Sequence, residues 1–265
     1  MNHFVMTDTH GNKDLFDKCI NFIRQQYNDD WYVFFLGDAA DRGKDGYAII
    51  KEILNSNHFS YIKGNHEDIF VKAARTLDMV SREEMISIHQ FAKIDNLYNL
   101  ILRYDDIRLS EMNGGLVTLI SWIKDGAPLS IINQLDKLPY TISYDKFDMC
   151  HAGCTKEMWE HKEENQNEFL WNRNHFLAPW YADRVLIHGH TTLIHLPHIL
   201  LKKNNCDSWK AFVYKPDVFS DRRKPEGLKI DLDTGMCHTN IAAVYCLEEE
   251  KAYTIMLDQH DDIDF

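Results

Sequence analysis

The sequence predicts an α/β fold in which a parallel sheet is flanked by helices and later strands close a second sheet. Three observations carry this. Over residues 3–67, short apolar runs alternate with stretches of helical period. Each run gives way to a polar loop, and strand-like runs resume after a long charged, helical stretch. Repeated strand, loop and helix units imply parallel strands covered by helices, and ligands then sit at the carboxyl ends of the strands.

The elements follow in order. Residues 3–7 read as a first strand, and Asn12 can cap a helix whose apolar positions, Leu15, Phe16, Cys19, Ile20 and Ile23, recur with the helical period. The aromatic run 31–36 is too short for a core helix and reads as a buried strand, with 37–43 as its exit loop. Tyr47, Ile50, Ile53 and Leu54 mark a second helix, Tyr61 and Ile62 a third short strand, and Gly64, Asn65, His66 and Glu67 the loop after it. From about 71 to 138 the chain is charged and helical in period, with breaks at Gly114, Gly115 and Pro128, which predicts a helical insertion. Strands resume at 140–144, 147–150 and 184–187, the last two delivering His151 and the segment His188, Gly189, His190. Residues 228–232, 241–247 and 253–257 read as antiparallel strands closing a second sheet.

Composition narrows the function. A chain of 265 residues, 45% apolar and 12% aromatic, suits a globular protein, and without a low-complexity linker the expectation is one domain over 1–265. With 29 basic and 41 acidic residues the net charge is −12, which disfavours duplex nucleic acid and anionic membranes as partners. No leader-like start and no apolar run near the ~20 residues that span a bilayer is visible, so the expected location is the cytoplasm. The cysteines, Cys19, Cys150, Cys154, Cys206, Cys237 and Cys246, form no Cys-x-x-Cys pair and read as reduced thiols. Cys150 and Cys154 flank His151, and small buried thiols beside a strand end explain them better than a metal role.

The predicted strand ends carry Asp8 and His10, Asp38 and Asp41, Asn65 and His66, His151, and His190. Singly, each has a plain explanation: a strand-end Asp is usually a turn or cap residue, and a lone His a satisfied core or surface group. As a set, at successive strand exits and several beside glycine, they point to metal binding. Carboxylate, imidazole and amide donors suit manganese, with iron or zinc as alternatives, better than magnesium alone. Two divalent ions ~3.5–4 Å apart need a shared ligand, for which Asp38 is the candidate; they acidify a bridging water and neutralise phosphate oxygens, so that hydroxide attacks phosphorus in line.

The motifs "DTHG" at 8–11, "GDAADRG" at 37–43, "GNHE" at 64–67, "HAG" at 151–153, "GHT" at 189–191 and "LDTG" at 232–235 resemble those of the phosphoprotein phosphatases, within the calcineurin-like metallophosphoesterases. The "HAG" and "GHT" forms look most like the bacterial and phage serine/threonine protein phosphatases. The resemblance implies a central β-sandwich flanked by helices and a binuclear metal centre. One ion would be held by Asp8, His10 and Asp38, the other by Asp38, Asn65, His151 and His190. It also implies that His66 protonates the leaving alkoxide while Asp41 holds its ring, and that Arg42 and, by the match of "LWNR" at 170–173, Arg173 bind phosphate. Chemistry agrees: an ester oxygen leaves poorly without a proton, and guanidinium forks match a tetrahedral oxyanion.

The sequence departs from that pattern in two places. Thr7 stands where the family often has Gly, and the stretch 191–228 is longer than expected. His188, His195 and His198 compete with His190 as ligands, which the Gly-His-Thr setting favours. The expected substrate is a phosphorylated protein or small phosphoester. The alternatives are hydrolysis of dinucleoside polyphosphates or a nucleotide end, and a non-catalytic binding module on the same scaffold. Lys202, Lys203, Trp209, Lys210, Arg222 and Arg223 in the long stretch keep the dinucleotide alternative open, while Asp207, Asp217 and Asp221 among them argue against a concentrated phosphate cradle.

Overall fold

The computed structural model describes residues 1–192, 195–196, 212–214 and 227–257. Among the described residues, two five-stranded sheets carry the fold. In the first, β1 (Asn2–Met6), β2 (Trp31–Phe35) and β3 (Phe59–Tyr61) run parallel, joined through α1 (Lys13–Tyr27) and α2 (Gly46–Asn55). Asn12 caps α1 as predicted, its side chain accepting from the Leu15 N–H at 3.2 Å, and the apolar positions read from the sequence are buried.

The second sheet has the order β4 (Thr141–Tyr144), β5 (Phe147–Cys150), β6 (Val185–His188), β8 (Leu228–Asp231), β7 (Phe212–Tyr214). Here the C-terminal expectation needs correction. β8 runs parallel to β6, and β9 (Ile241–Cys246) and β10 (Lys251–Met256) join the first sheet instead, β9 pairing antiparallel with β1. Buried on both faces near its middle, β9 offers no alternation that could reveal its partner. β7, which pairs antiparallel with β8, was not expected.

The sheets pack face to face. Val5, Phe34 and Leu36 of the first share one buried cluster with Phe147, Met149, Ile187 and Ile230 of the second. Their neighbours Phe4, Met6, Val33 and Phe35 point the other way, into a cluster with Leu15, Phe16 and Ile20 of α1 and Ile49 and Ile50 of α2. Alternation along each strand thus serves two cores at once.

The segment Asn65 to Glu67, expected as a loop, is the first turn of α3 (Asn65–Glu83). Helical structure therefore begins before residue 71 and continues through a 3₁₀ turn (Ile88–Ala92), α4 (Ile94–Arg103), α5 (Asp105–Met112), α6 (Leu116–Lys124) and α7 (Leu129–Asp136). Gly114 and Gly115 separate α5 from α6, and Pro128 precedes α7, as the breaks predicted. α8 (Lys156–Glu160) and α9 (Glu168–Trp171) follow β5, and α10 (Met236–Thr239) follows β8. Among the described residues no helix is long and apolar enough to cross a membrane.

Candidate metal centre

The loops leaving β1, β2, β3, β5 and β6 meet at one end of the two sheets, and the backbone there is unusual. Asp8, His10, Asp38, Asp41, Arg42 and His190 have φ between 42° and 69°. Non-glycine residues held in this left-handed region cost about 1–3 kcal/mol each and persist only where neighbours over-determine them. The neighbours do so. The N–H groups of Asp8 and His10 donate to Gly37 O and Asp38 O, each at 3.0 Å, and that of His190 to Asp8 Oδ2 at 3.0 Å. Glycines make the approach possible: a Cβ on Gly64 would lie 2.2 Å from Asp38 Oδ1, and one on Gly189 2.1 Å from Asp8 Oδ2.

Asp38 is the centre of the group. Its Oδ2 lies 3.3 Å from His151 Nε2, 3.6 Å from His10 Nε2 and 3.9 Å from His66 Nε2. Asn65 Oδ1 stands 2.9 Å from both His151 Nε2 and His190 Nδ1. Two sets of donor atoms each fall within 4.8 Å of one another and could hold a metal ion: His10, Asp38 and His66, and Asp38, His151 and His190. Asp38 belongs to both. Asp8 lies at the margin, its Oδ1 3.9 Å from His10 Nε2 and its Oδ2 accepting from Thr7 Oγ1 at 2.5 Å. Six predicted ligands are thus brought together, with His66 nearer the first set than the sequence suggested.

Hydrogen bonding tests whether a cation fits. His151 Nδ1 sits 2.8 Å from Leu36 O and His10 Nδ1 3.0 Å from Ala40 O. A carbonyl only accepts, so both Nδ1 atoms carry the proton. In the neutral rings each Nε2 then aims a lone pair at the Asp38 carboxylate, and that of His151 also at the Asn65 amide oxygen. Lone pairs facing lone pairs need a positive charge between them, and a backbone carbonyl on the far nitrogen is the usual tether of a metal-binding histidine. His190 Nε2 is buried without a hydrogen-bond partner, as an open ligand atom would be.

The electrostatics agree. Burial would raise Asp38, but His151, His66 and His10 hold its carboxyl well below the usual range. Burial would lower His151, yet Asp38 beside it holds the imidazole up to about 10, so the positive charge that this pair calls for can be a proton on Nε2 as well as a metal ion. Burial dominates elsewhere: it depresses His190 to about 2, holds His10 well below the usual imidazole range, and raises Asp8. Asp38 thus keeps its negative charge where it cannot be hydrated and draws positive charge to itself, which is what a cation site requires.

His66 Nδ1 lies 2.8 Å from Asp41 Oδ2, and its Nε2 lies 3.2 Å from Arg42 Nη2. Asp38 and Asp41 raise the His66 pKa against the effect of burial. Arg42 is exposed at the rim; Arg173 is also exposed, donating to Thr191 Oγ1 at 2.8 Å and to His190 O at 3.2 Å. Of the competing histidines, His188 is buried away from the cluster, 3.3 Å from His175, and His195 is exposed and bonded to Thr192. His198, Cys206 and the basic, acidic and tryptophan residues singled out over 202–223 lie outside the described residues. The described cysteines form no disulfide.

One central residue escaped the sequence reading. Glu67 is fully buried, and its oxygens accept from the N–H groups of Asp38 at 2.7 Å, Ala39 at 2.9 Å, Gly64 at 3.0 Å and Ala40 at 3.3 Å. It ties the loop after β2 to the start of α3. Its place three residues after Gly64 is a capping-box position, the one local signal that could have marked it.

Residues 1–219 match the family described as calcineurin-like phosphoesterase. No curated protein matches the chain. Among solved structures, one described as a "putative diadenosine tetraphosphatase" aligns with a TM-score of 0.54 at 12% identity, covering 96% of this chain and 92% of the other. A metallophosphoesterase from Sphaerobacter thermophilus aligns at 0.52 and 13% identity, covering 98% and 89%. A cold-active protein-tyrosine phosphatase of a psychrophilic Shewanella species aligns at 0.48 and 12% identity, covering 96% and 80%.

Proposed function

We propose that this chain, a phosphoester hydrolase that belongs to the calcineurin-like phosphoesterase family, removes phosphate from phosphoserine or phosphothreonine in proteins. Asp8, His10 and Asp38 would hold one divalent ion and Asp38, Asn65, His151 and His190 a second, with manganese the best match to the donor set and iron or zinc as alternatives. Bound there, the ions would neutralise phosphoryl oxygens and acidify a nearby water.

The chain's own residues supply the rest. Arg42 and Arg173 orient the phosphoryl group through charged hydrogen bonds. Asp41 keeps the proton on His66 Nδ1, so Nε2 is the atom that delivers a proton to the leaving oxygen. A guanidinium only donates, so the Arg42 contact requires a bare His66 Nε2. With Arg42 turned to a phosphate oxygen, His66 Nε2 is released to take a proton from solvent, which it then delivers to the leaving oxygen.

The observation carrying the substrate reading is an open cleft of about 1720 Å³ that runs from His10 and Arg42 along α1, with Lys13, Lys18 and Lys44 as well as Asp14, Asp17 and Asp45 in its walls. Mixed charge suits a polypeptide of either sign, whereas a polyphosphate needs concentrated cations. A smaller cleft of about 540 Å³ contains both Arg42 and Arg173 and favours the second reading, a dinucleoside polyphosphate. Specificity constants for a phosphoserine peptide and a symmetric dinucleoside tetraphosphate, measured with one metal, decide between them. A dinucleotide preference above about a hundredfold, roughly 2.7 kcal/mol, would overturn the protein-phosphatase reading.

A further inference from the structure

We propose that the helical insertion is part of the acid machinery: Thr118 and the Gly114-Gly115 turn are positioning elements that hold Asp41 and Arg42 where His66 and phosphate meet them. This rests on the reading of His66 as the acid. Asp41 and Arg42 are consecutive non-glycine residues in the left-handed region, at φ 69° and 65°. Neither relevant N–H is paired within a sheet. The Asp41 N–H donates to Thr118 Oγ1 at 2.9 Å, across 77 positions of sequence, and the Arg42 N–H donates to Gly114 O at 3.0 Å.

The turn is shaped for this. Gly114 has φ 76°, and a Cβ there would sit 3.2 Å from Arg42 N and Cα. A Cβ on Gly115 would lie 3.2 Å from Asp41 Oδ1 and 2.3 Å from Ser110 Oγ. Thr118 is 1% exposed, so its hydroxyl serves the interior. Its place is set by Leu119, Trp122 and Ile123, buried in one cluster with Phe70 of α3. An ordinary threonine near a helix start would bond a local N–H; this one accepts from the residue whose other end holds the His66 ring. The insertion thus fixes the Asp41 backbone from behind, leaving Oδ2 aimed at His66.

The test compares T118V and T118S with wild type on a phosphoserine peptide and on a nitrophenyl phosphate, whose leaving group scarcely needs a proton. T118V is expected to lower kcat on the peptide by roughly tenfold, part of the ~10²–10⁴ that a positioned acid is worth, with KM, metal content and the aryl rate little changed. T118S, which keeps the acceptor, is expected to restore the peptide rate. Unchanged kcat in T118V, equal loss on both substrates, or failure of T118S to rescue would overturn the clamp. If T118V does not fold, G115A, which crowds Asp41 Oδ1, is expected to show the same leaving-group selectivity; if it too is unfolded, a T118S enzyme with the wild-type ratio of peptide to aryl rates supports the clamp and one slowed on the peptide overturns it. H66N separates the two readings. If H66N shows no leaving-group dependence, the acid assignment fails; if H66N shows it and T118V does not, only the clamp fails.

Discussion

Two buried imidazole groups lie close together in this molecule and behave differently. At the front, His10, His66, His151 and His190 surround Asp38. Behind them, His188 packs 3.3 Å from His175, and Asp231 and Lys229 lie nearby in the second sheet, the Lys229 ammonium donating to His175 O at 2.7 Å. Both groups are dry. At the front Asp38 stays ionised and holds His151 up to about 10, whereas at the back burial raises Asp231 well above the carboxylate range and lowers His188 to about 3 and Lys229 to about 8. Burial alone thus shifts polar groups toward their neutral forms. What distinguishes the front as a candidate cation site is one carboxylate shared among several tethered rings.

The sharpest way to break this comparison is to remove the shared charge. D38N, or exhaustive chelation, is expected to abolish turnover and, for the variant, metal content; D231N is expected to leave metal content intact. After chelation, manganese is expected to restore activity more readily than magnesium. Full turnover in chelated enzyme would remove the metal centre from the account. H66N is expected to keep its metals and lose ~10²–10⁴ in kcat on an alkyl phosphate, with a smaller loss on an aryl phosphate.

A milder change probes the support of the front. E67Q removes charge from a group accepting four backbone N–H bonds around Asp38. Outer partners of metal sites typically control about 10–100-fold in affinity, so a metal titration is expected to show a weakening of that order, with no effect on aryl-versus-alkyl selectivity.

The back predicts stability rather than turnover. The folded Lys229 pKa of about 8 lies below the unfolded value of ~10.4, so between these values the unfolded chain binds more protons. Stability therefore rises with pH through that window, and below it the buried charge costs about 3 kcal/mol. K229M is expected to flatten this rise in denaturant melts while turnover stays near wild type. A rise that persists unchanged would show that another group is responsible.

Local chemistry made much of this legible in the sequence. Asn12 as a cap, the helical period from Leu15 to Ile23, the breaks at Gly114, Gly115 and Pro128, and a candidate ligand after each of β1, β2, β3, β5 and β6 all rest on neighbours a few positions apart. The first turn of α3 reads in the sequence as a loop, and only the structure shows the capping-box place of Glu67. The tertiary structure alone decided which strands pair, placing β9 beside β1 rather than beside β8, because a strand buried on both faces says that it is covered and not by what. It alone decided the 3.3 Å approach of His151 to Asp38, the bonds of Glu67 to the loop after β2, and the reach of Thr118 to Asp41. Such contacts join residues far apart in the chain and are selected by packing of the whole, whereas caps, turns and periodicity are settled within one turn or one strand.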